Sequence, residues 1–378
     1  MKKIFSLRQI IQVTVFATLI FLAVSHQKYG IEKTASIDAY CPFGAVESFL
    51  TKINTGEYLK RIWTSSFILG AITILVTIVF GRVFCAYFCP LGAVQEWIRA
   101  LGRKIGLKKD LELPLVVDKY ARYLKYFFLL FIIYYSYKVG DLWFRNYDPY
   151  NALMHFGEEF DEKIWAYSIL GVVAVSALFS RSWWCRYFCP LGAFLGIVRK
   201  ASPFKIERNK TTCVSCGTCN QVCPANLNIK EAAAIKSAEC ISCLNCVSDC
   251  PETSLAARVF GREISKKTLA IIALLSFFVP LLIIMATPWW QTKAPTNILT
   301  TSGSIDVENI RGSNTLNKLL EDTRLPLDLF IQELGLPADV DTKLKLKEIG
   351  PKYNLTNKEG AVLETEDFRE VVKRTISK

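Results

Sequence analysis

The chain has 378 residues, 51% of them hydrophobic, and a positive mean hydropathy, which excludes an ordinary soluble fold for most of its length. Its net charge is +12, but the basic residues lie beside apolar segments rather than on one soluble face, so membrane topology accounts for them better than nucleic-acid binding. Thirteen cysteines in so long a chain exclude a small disulfide scaffold.

The first apolar segment, residues 10–24, follows Met1-Lys2-Lys3 and Arg8. A secretory signal begins in the same way, but Val24-Ser25-His26-Gln27 has no small-x-small cleavage site and more apolar segments follow, so an uncleaved anchor is expected. Tyr40-Cys41-Pro42-Phe43-Gly44-Ala45 comes next, and Cys41 is the odd thiol: a redox relay, a metal or cofactor contact, or a packed turn. Further spans are expected at residues 62–80, 120–137, 164–179 and 269–287. Arg122 and Lys125 would snorkel from the third of the five, Pro280 would kink the last, and Trp289 and Trp290 would sit at its interface.

Charge orients these spans. Arg82, Arg99, Arg103, Lys104, Lys108 and Lys109 follow the second, whereas Asp141, Asp148, Glu158, Glu159, Asp161 and Glu162 follow the third. Basic residues return after the fourth as Arg181, Arg186, Arg199, Lys200, Lys205, Arg208 and Lys210. The expectation is a multi-pass protein of a prokaryotic cytoplasmic (inner) membrane, with the N-terminus and residues 204–262 cytoplasmic and residues 292–378 extracytoplasmic.

Within the membrane part, a motif occurs twice. Arg82-Val83-Phe84-Cys85-Ala86-Tyr87-Phe88-Cys89-Pro90-Leu91-Gly92-Ala93 matches Arg181-Ser182-Trp183-Trp184-Cys185-Arg186-Tyr187-Phe188-Cys189-Pro190-Leu191-Gly192-Ala193, with one extra residue in the second copy. Duplicated spans of one orientation imply halves related by an axis along the membrane normal. That symmetry would bring Cys85, Cys89, Cys185 and Cys189 together, and cysteines four apart share a face if locally helical. Four such thiols could hold a third cluster or a metal, or cycle as redox thiols; small apolar cysteines also simply pack.

Residues 213–251 carry the clearest chemistry. Cys213, Cys216, Cys219 and Cys223-Pro224, then Cys240, Cys243, Cys246 and Cys250-Pro251, are the C-x2-C-x2-C-x3-C-P run of bacterial ferredoxins, twice. In such runs three thiolates wrap one cluster and the fourth crosses to the other. The expected ligand sets are Cys213, Cys216, Cys219 and Cys250 for one 4Fe–4S cluster, and Cys240, Cys243, Cys246 and Cys223 for the other. Zinc would not need a third cysteine in each run, and disulfides do not explain the matched spacing. Twelve cysteines in metal-type or paired spacings also call for a reducing compartment, which agrees with the charge-based orientation.

These residues resemble the NapH/NosR/CcoG-type membrane polyferredoxins, over roughly residues 62–259 and on all twelve paired or clustered cysteines. That family includes a quinol-oxidising subunit of periplasmic nitrate reductase systems, an electron donor of nitrous oxide reduction and a cytochrome oxidase assembly factor. The resemblance implies membrane electron transfer, commonly from quinol, with 4Fe–4S clusters on the cytoplasmic side. The five-span layout with an external tail is most similar to the assembly-factor branch.

The expected fold class is a mainly α membrane protein of about five transmembrane helices with an internal repeat, an inserted α+β two-cluster ferredoxin domain and a small helical soluble C-terminal domain. Boundaries fall at residues 1–203, 204–262, 263–291 and 292–378. On the outer side, Asp148, Tyr150 and His155 are candidates for quinol binding or proton release, against a plain Asp-Pro turn. Neither histidine, His26 or His155, lies in the core of a span, which excludes a chain of transmembrane haems. The tail shows short amphipathic helices near residues 314–320, 327–334 and 365–372 and no cysteine or histidine, so it serves as a docking surface for a redox partner protein or as a stabilising cap. The function expected is one-electron transfer between the quinone pool and such a partner, an oxidoreductase subunit of a larger system. A copper reductase or an assembly factor of a respiratory complex is the alternative.

Overall fold

A computed structural model describes residues 6–34, 37–55, 62, 64–107, 109–139, 142–157, 163–290, 292, 305, 307, 310, 312, 314–357 and 362–376. Lys108 and the acidic residues Asp141, Glu158, Glu159, Asp161 and Glu162 lie outside these. The chain divides into two units, Met1–Thr292 and Lys293–Lys378.

The first unit opens with α1 (Leu7–Lys33), a 3-10 turn (Ile37–Tyr40), α2 (Pro42–Thr55), α3 (Thr64–Phe80), α4 (Val83–Tyr87) and α5 (Pro90–Lys104). After α6 (Leu115–Ala121) and α7 (Leu124–Val139) the same order returns: a 3-10 turn (Trp143–Asn146), α8 (Pro149–Met154), α9 (Ile164–Phe179), α10 (Trp183–Tyr187) and α11 (Pro190–Arg199). The repeat is therefore longer than the duplicated cysteine motif, since it includes the turn and the proline-begun helix before each apolar helix. The copies exchange partners, α5 packing on α9 and α11 on α3, as halves related by a twofold axis must.

Among the described residues, α1 and α14 (Lys266–Met285, described below) are long and apolar enough to cross a bilayer. The helices α3, α7 and α9 have 17, 16 and 16 residues. At ~1.5 Å per residue they reach about 24–26 Å, short of a hydrocarbon core of about 30 Å. The five-span expectation thus holds only in part. α3 and α9 end at Phe80 and Phe179, where the sequence ends its second and fourth apolar stretches, and the chain then turns through Gly81, whose φ is 74°, and Ser182, whose φ is 45°. All five helices nonetheless turn apolar side chains outward: Phe21, Leu75, Phe127, Leu130, Val172, Val175 and Leu282 are each more than half exposed.

A four-stranded antiparallel sheet of order β2-β1-β3-β4 follows, made of β1 (Lys205–Arg208), β2 (Ala234–Ile235), β3 (Leu255–Val259) and β4 (Arg262–Glu263). Two short helices, α12 (Thr218–Gln221) and α13 (Asn245–Ser248), sit in the loops between its strands, and α14 ends the unit. The sheet does not form a separate core. Ile206, Ile235 and Ala257 share one apolar cluster with Leu69, Val76, Phe84 and Phe277 of the helices, where Phe88 and Phe277 stack at 4.7 Å.

The second unit holds α15 (Leu316–Thr323), α16 (Leu327–Leu334), α17 (Leu346–Tyr353) and α18 (Thr365–Ile376) around Leu316, Leu319, Phe330, Leu346, Ile349 and Phe368. Left-handed Arg324, Gly335 and Asn354 end the first three, where orphan carbonyls need a turn that α geometry does not supply. Of these four helices, α17 is the one absent from the sequence-based expectation. Its Gly350-Pro351 pair breaks the helical pattern, yet Gly350 is what lets the helix lie against the Leu363 carbonyl.

Candidate iron–sulfur and thiol centres

The two cysteine runs occupy the β1–β2 and β2–β3 loops, which antiparallel pairing of β1 with both β2 and β3 brings side by side. The loops have the same backbone. Ser215 and Gly217 in the first, Ser242 and Leu244 in the second, all have positive φ, at 52°, 77°, 58° and 58°. A fully buried leucine in the left-handed region is strained, and such strain persists where packing dictates the loop.

Cys223, Cys240, Cys243 and Cys246 together line one cavity, closed by Pro224, Leu244, Ile206 and Ile235. This is the four-cysteine set expected for one cluster, including Cys223 from the other run. A group of four sulfurs around an apolar space suits a cluster that bonds only to sulfur at its corners. Burial pushes the Cys223 thiol up to about 12 and raises Cys243 and Cys246. Such thiols ionise in exchange for a metal bond rather than for water. Cys213, Cys216 and Cys219 form a second, more open group. There, hydrogen bonds from Arg208 and Thr218 hold the Cys213 and Cys216 thiols below their ordinary range. Cys250 packs against the same core, and Cys219 lies within electrostatic reach of Cys246.

The duplicated cysteines converge as well. Cys85, Cys89, Cys185 and Cys189 lie within electrostatic reach of one another. They do not share a helical face, however. Cys85 lies in α4 and Cys89 is the N-cap of α5, and Cys185 and Cys189 repeat this in α10 and α11. Proline at N1 starts each second helix, because it has no N–H to satisfy, and the break between helices turns both thiols inward. Glycine permits the fold-back: a Cβ on Gly92 would stand 3.2 Å from the Cys85 carbonyl oxygen, and one on Gly192 would stand 3.4 Å from that of Cys185. The Gln95 amide donates to Cys185 Sγ (3.3 Å) and the Gly192 N–H to Cys189 Sγ (3.3 Å). Among the described residues, no group of three or more His, Cys, Asp or Glu is arranged to hold a single metal ion.

Sequence reasoning missed the buried cations. Lys125 does not snorkel. It is fully buried and pairs with Glu239 at 2.5 Å, one residue before Cys240. Arg122 likewise turns inward, pairing with Asp118 (2.8 Å) and donating to the carbonyls of Ala225 and Asn226. Arg82 donates to the Ala238 carbonyl (3.1 Å) and reaches Cys85 Sγ (3.9 Å), so one guanidinium touches both cysteine centres' surroundings. Its repeat partner Arg181 donates to the carbonyls of Asn220 and Cys223. The basic residues near the duplicated motif therefore fasten the ferredoxin segment to the bundle. The signal was present in the repeat: an arginine preceding both cysteine pairs.

At the opposite ends of α3 and α9, the turns before α2 and α8 come together. Cys41 and Asp148 occupy equivalent N-cap positions, in Tyr40-Cys41-Pro42 and Tyr147-Asp148-Pro149, and lie in each other's field. The Asp148 side chain accepts from the Tyr150 N–H (3.0 Å). Burial, with Asp38 nearby, raises its carboxyl to about 7. Tyr150 lies within reach of both Cys41 and Cys89. His155, on the same helix, bonds through Nδ1 to the Asn151 carbonyl (3.1 Å) and does not line the cavity there, while His26 Nδ1 meets the Thr34 carbonyl (3.2 Å).

Comparison with known proteins bears on the same residues. A 4Fe-4S binding domain model matches twice, at residues 62–108 and 164–209, once on each copy of the repeat. A 4Fe-4S dicluster domain model matches residues 205–251. YccM of Escherichia coli, a protein named for electron transport, is 29% identical over 229 residues, 59% of this chain and 64% of YccM. The regulatory protein NosR of Pseudomonas aeruginosa is 32% identical over 48% of this chain and 25% of its own length. The ferredoxin-type protein NapH of Haemophilus influenzae is 29% identical over 48% of this chain and 64% of its own. The chain thus spans less than two thirds of each of these three relatives. No solved structure matches it.

Proposed function

Because the chain belongs to the NapH/NosR-type 4Fe–4S polyferredoxin family, we propose that this iron–sulfur electron-transfer protein is membrane-bound and links the quinone pool to a redox partner protein. The observation that carries this reading is the cavity ringed by Cys223, Cys240, Cys243 and Cys246, a ligand set that spans both cysteine runs. Cys213, Cys216, Cys219 and Cys250 are assigned to the second ferredoxin cluster, and Cys85, Cys89, Cys185 and Cys189 to a third thiol-held centre. A 4Fe–4S cluster, when bound, supplies one-electron chemistry that no side chain offers.

The chain's own residues do the rest. Leu244, Ile206 and Ile235 keep water from the buried thiols. Lys125, Arg82 and Arg199 place positive charge beside a thiolate-rich site, which favours added electrons. Membrane residence is supported by α1, α14 and the exposed apolar side chains of α3, α7 and α9. The charge pattern and the thiol chemistry support a cytoplasmic ferredoxin segment, and the C-terminal unit is read as the docking surface for the partner protein.

The test is anaerobic purification followed by mixing with menadiol while the cluster EPR signal is recorded. Oxidation of one hydroquinone releases two electrons, one for each ferredoxin cluster, and two protons. The expected result is cluster reduction, with the signal of one cluster lost in Cys213→Ser and that of the other lost in Cys240→Ser. Clusters that dithionite reduces but menadiol leaves untouched would overturn the link to quinone.

A further inference from the structure

We propose that the Tyr87 hydroxyl is a hydrogen-bond donor to the Cys243 sulfur of the buried ferredoxin cluster and raises the potential at which that cluster is reduced. The inference rests on the assignment above of Cys223, Cys240, Cys243 and Cys246 to a 4Fe–4S cluster, and it adds a residue of the helical bundle that tunes it.

The duplicated motif places a tyrosine two residues before its second cysteine in each copy, Tyr87 before Cys89 and Tyr187 before Cys189. Both close a short helix, α4 or α10, and both are buried. Their hydroxyls meet different fates. Tyr187 donates to Asp118 Oδ1 and accepts from Arg186 Nη2 (2.8 Å). The first copy has Ala86 where the second has Arg186, and the Tyr87 oxygen is buried without a hydrogen-bond partner. A buried hydroxyl left in this state is costly, and in a repeat whose other copy is matched it marks a place where a partner is missing.

The surroundings identify that partner. Tyr87 belongs to the apolar cluster that also contains Cys240, Cys243 and Cys246, and both Arg8 and Cys243 lie within electrostatic reach of it. Arg8 is held by Glu96 (2.6 Å) and by the Ala86 carbonyl (2.9 Å), and a guanidinium offers no acceptor for a phenol proton. The Cys243 sulfur, as a thiolate, does. Uptake of an electron adds negative charge to the cluster and its thiolates, so an O–H dipole aimed at one of them favours the reduced form. Hydrogen bonds to sulfur are among the factors that set such potentials. Arg8 and Lys266 also lie within reach of Cys243, but their charges stay in place when the phenol oxygen is removed.

The experiment is an anaerobic redox titration of the full-length holoprotein with dithionite, following the EPR signal that disappears in Cys240→Ser. Tyr87→Phe removes the hydroxyl alone and should lower the midpoint of that signal, disfavouring the reduced form about tenfold, or about 59 mV for a one-electron couple. Its iron content should stay native. Tyr187→Phe, whose hydroxyl is already matched, should leave the midpoint where it is. Tyr87→3-fluorotyrosine, a stronger donor of nearly the same shape, should raise it. A native iron content with an unchanged midpoint in Tyr87→Phe, or an equal fall in both phenylalanine variants, would overturn the proposal and leave the cluster standing. If Tyr87→Phe loses iron, the fluorinated variant decides, and an unchanged midpoint there would overturn the proposal. A native protein without the Cys240-dependent signal would overturn the cluster assignment and the proposal with it.

Discussion

The ion pair between Lys125 and Glu239 shows how single residues join the two halves of the first unit. Both side chains leave water, Lys125 completely, and each is tolerable only because the other is 2.5 Å away. Lys125→Met leaves Glu239 with a more distant partner, Arg82 at 3.8 Å, and should destabilise the protein by about 3–5 kcal/mol. Lys125→Met combined with Glu239→Leu should recover most of that loss, which thermal unfolding in detergent would register. The cysteines differ in what they tolerate. Cys246→Ser removes a ligand from a buried set, so iron analysis should show one cluster lost while the Cys213-side signal persists.

Among the elements, the helix pairs α4–α5 and α10–α11 depend on glycine. A Cβ at Gly192 would stand 2.9 Å from Arg82 Nη2, and Arg82 is the residue that connects the repeat to the ferredoxin segment. If the duplicated cysteines hold the third centre proposed above, Gly192→Ala should therefore lose its iron on gel filtration while the ferredoxin EPR signals remain. In the second unit the same argument applies to α17. Gly350→Ala puts a methyl 2.2 Å from the Leu363 carbonyl oxygen, and overpacking of this kind costs about 1–3 kcal/mol. Limited proteolysis should cut the variant's C-terminal unit sooner than the native one's.

For the whole molecule, the network around Asp110 and Asp118 sets the response to acid. Burial pushes the Asp110 carboxyl up, but hydrogen bonds and charges from Arg181 and Arg99 more than reverse this and hold it below the usual carboxylate range. Asp118 is held low in the same way against burial, by Tyr187, Arg122 and Arg186. A depressed carboxylate contributes stability that is present above its unfolded pKa and lost as pH falls through the folded one. Thermal stability should thus drop as pH falls below about 4, and less steeply in Asp118→Asn. These contacts tie the α5–α6 segment to α10 and to the ferredoxin loops, so acid should release that segment first.

The 4Fe–4S character was legible in the linear chain because ligand spacing is a local property. A C-x2-C-x2-C loop needs only its own short backbone to wrap a cluster, and the expectation that Cys223 crosses to the other run agrees with its place beside Cys240, Cys243 and Cys246 on one cavity. The repeat was legible for the same reason, as was the apolar character of the helices. Tertiary structure alone decided the rest. The third apolar stretch begins its helix at Leu124 rather than at Tyr120, because the chain breaks between α6 and α7 there. The roles of Arg82, Arg122 and Lys125 depend on partners more than a hundred residues away in the case of Ala238, Ala225 and Glu239, which no local pattern can announce. Cys41 and Asp148 likewise look unrelated in sequence, one a thiol and the other a turn-forming acid, until two equivalent helix starts meet across the bundle and place them on one cavity floor.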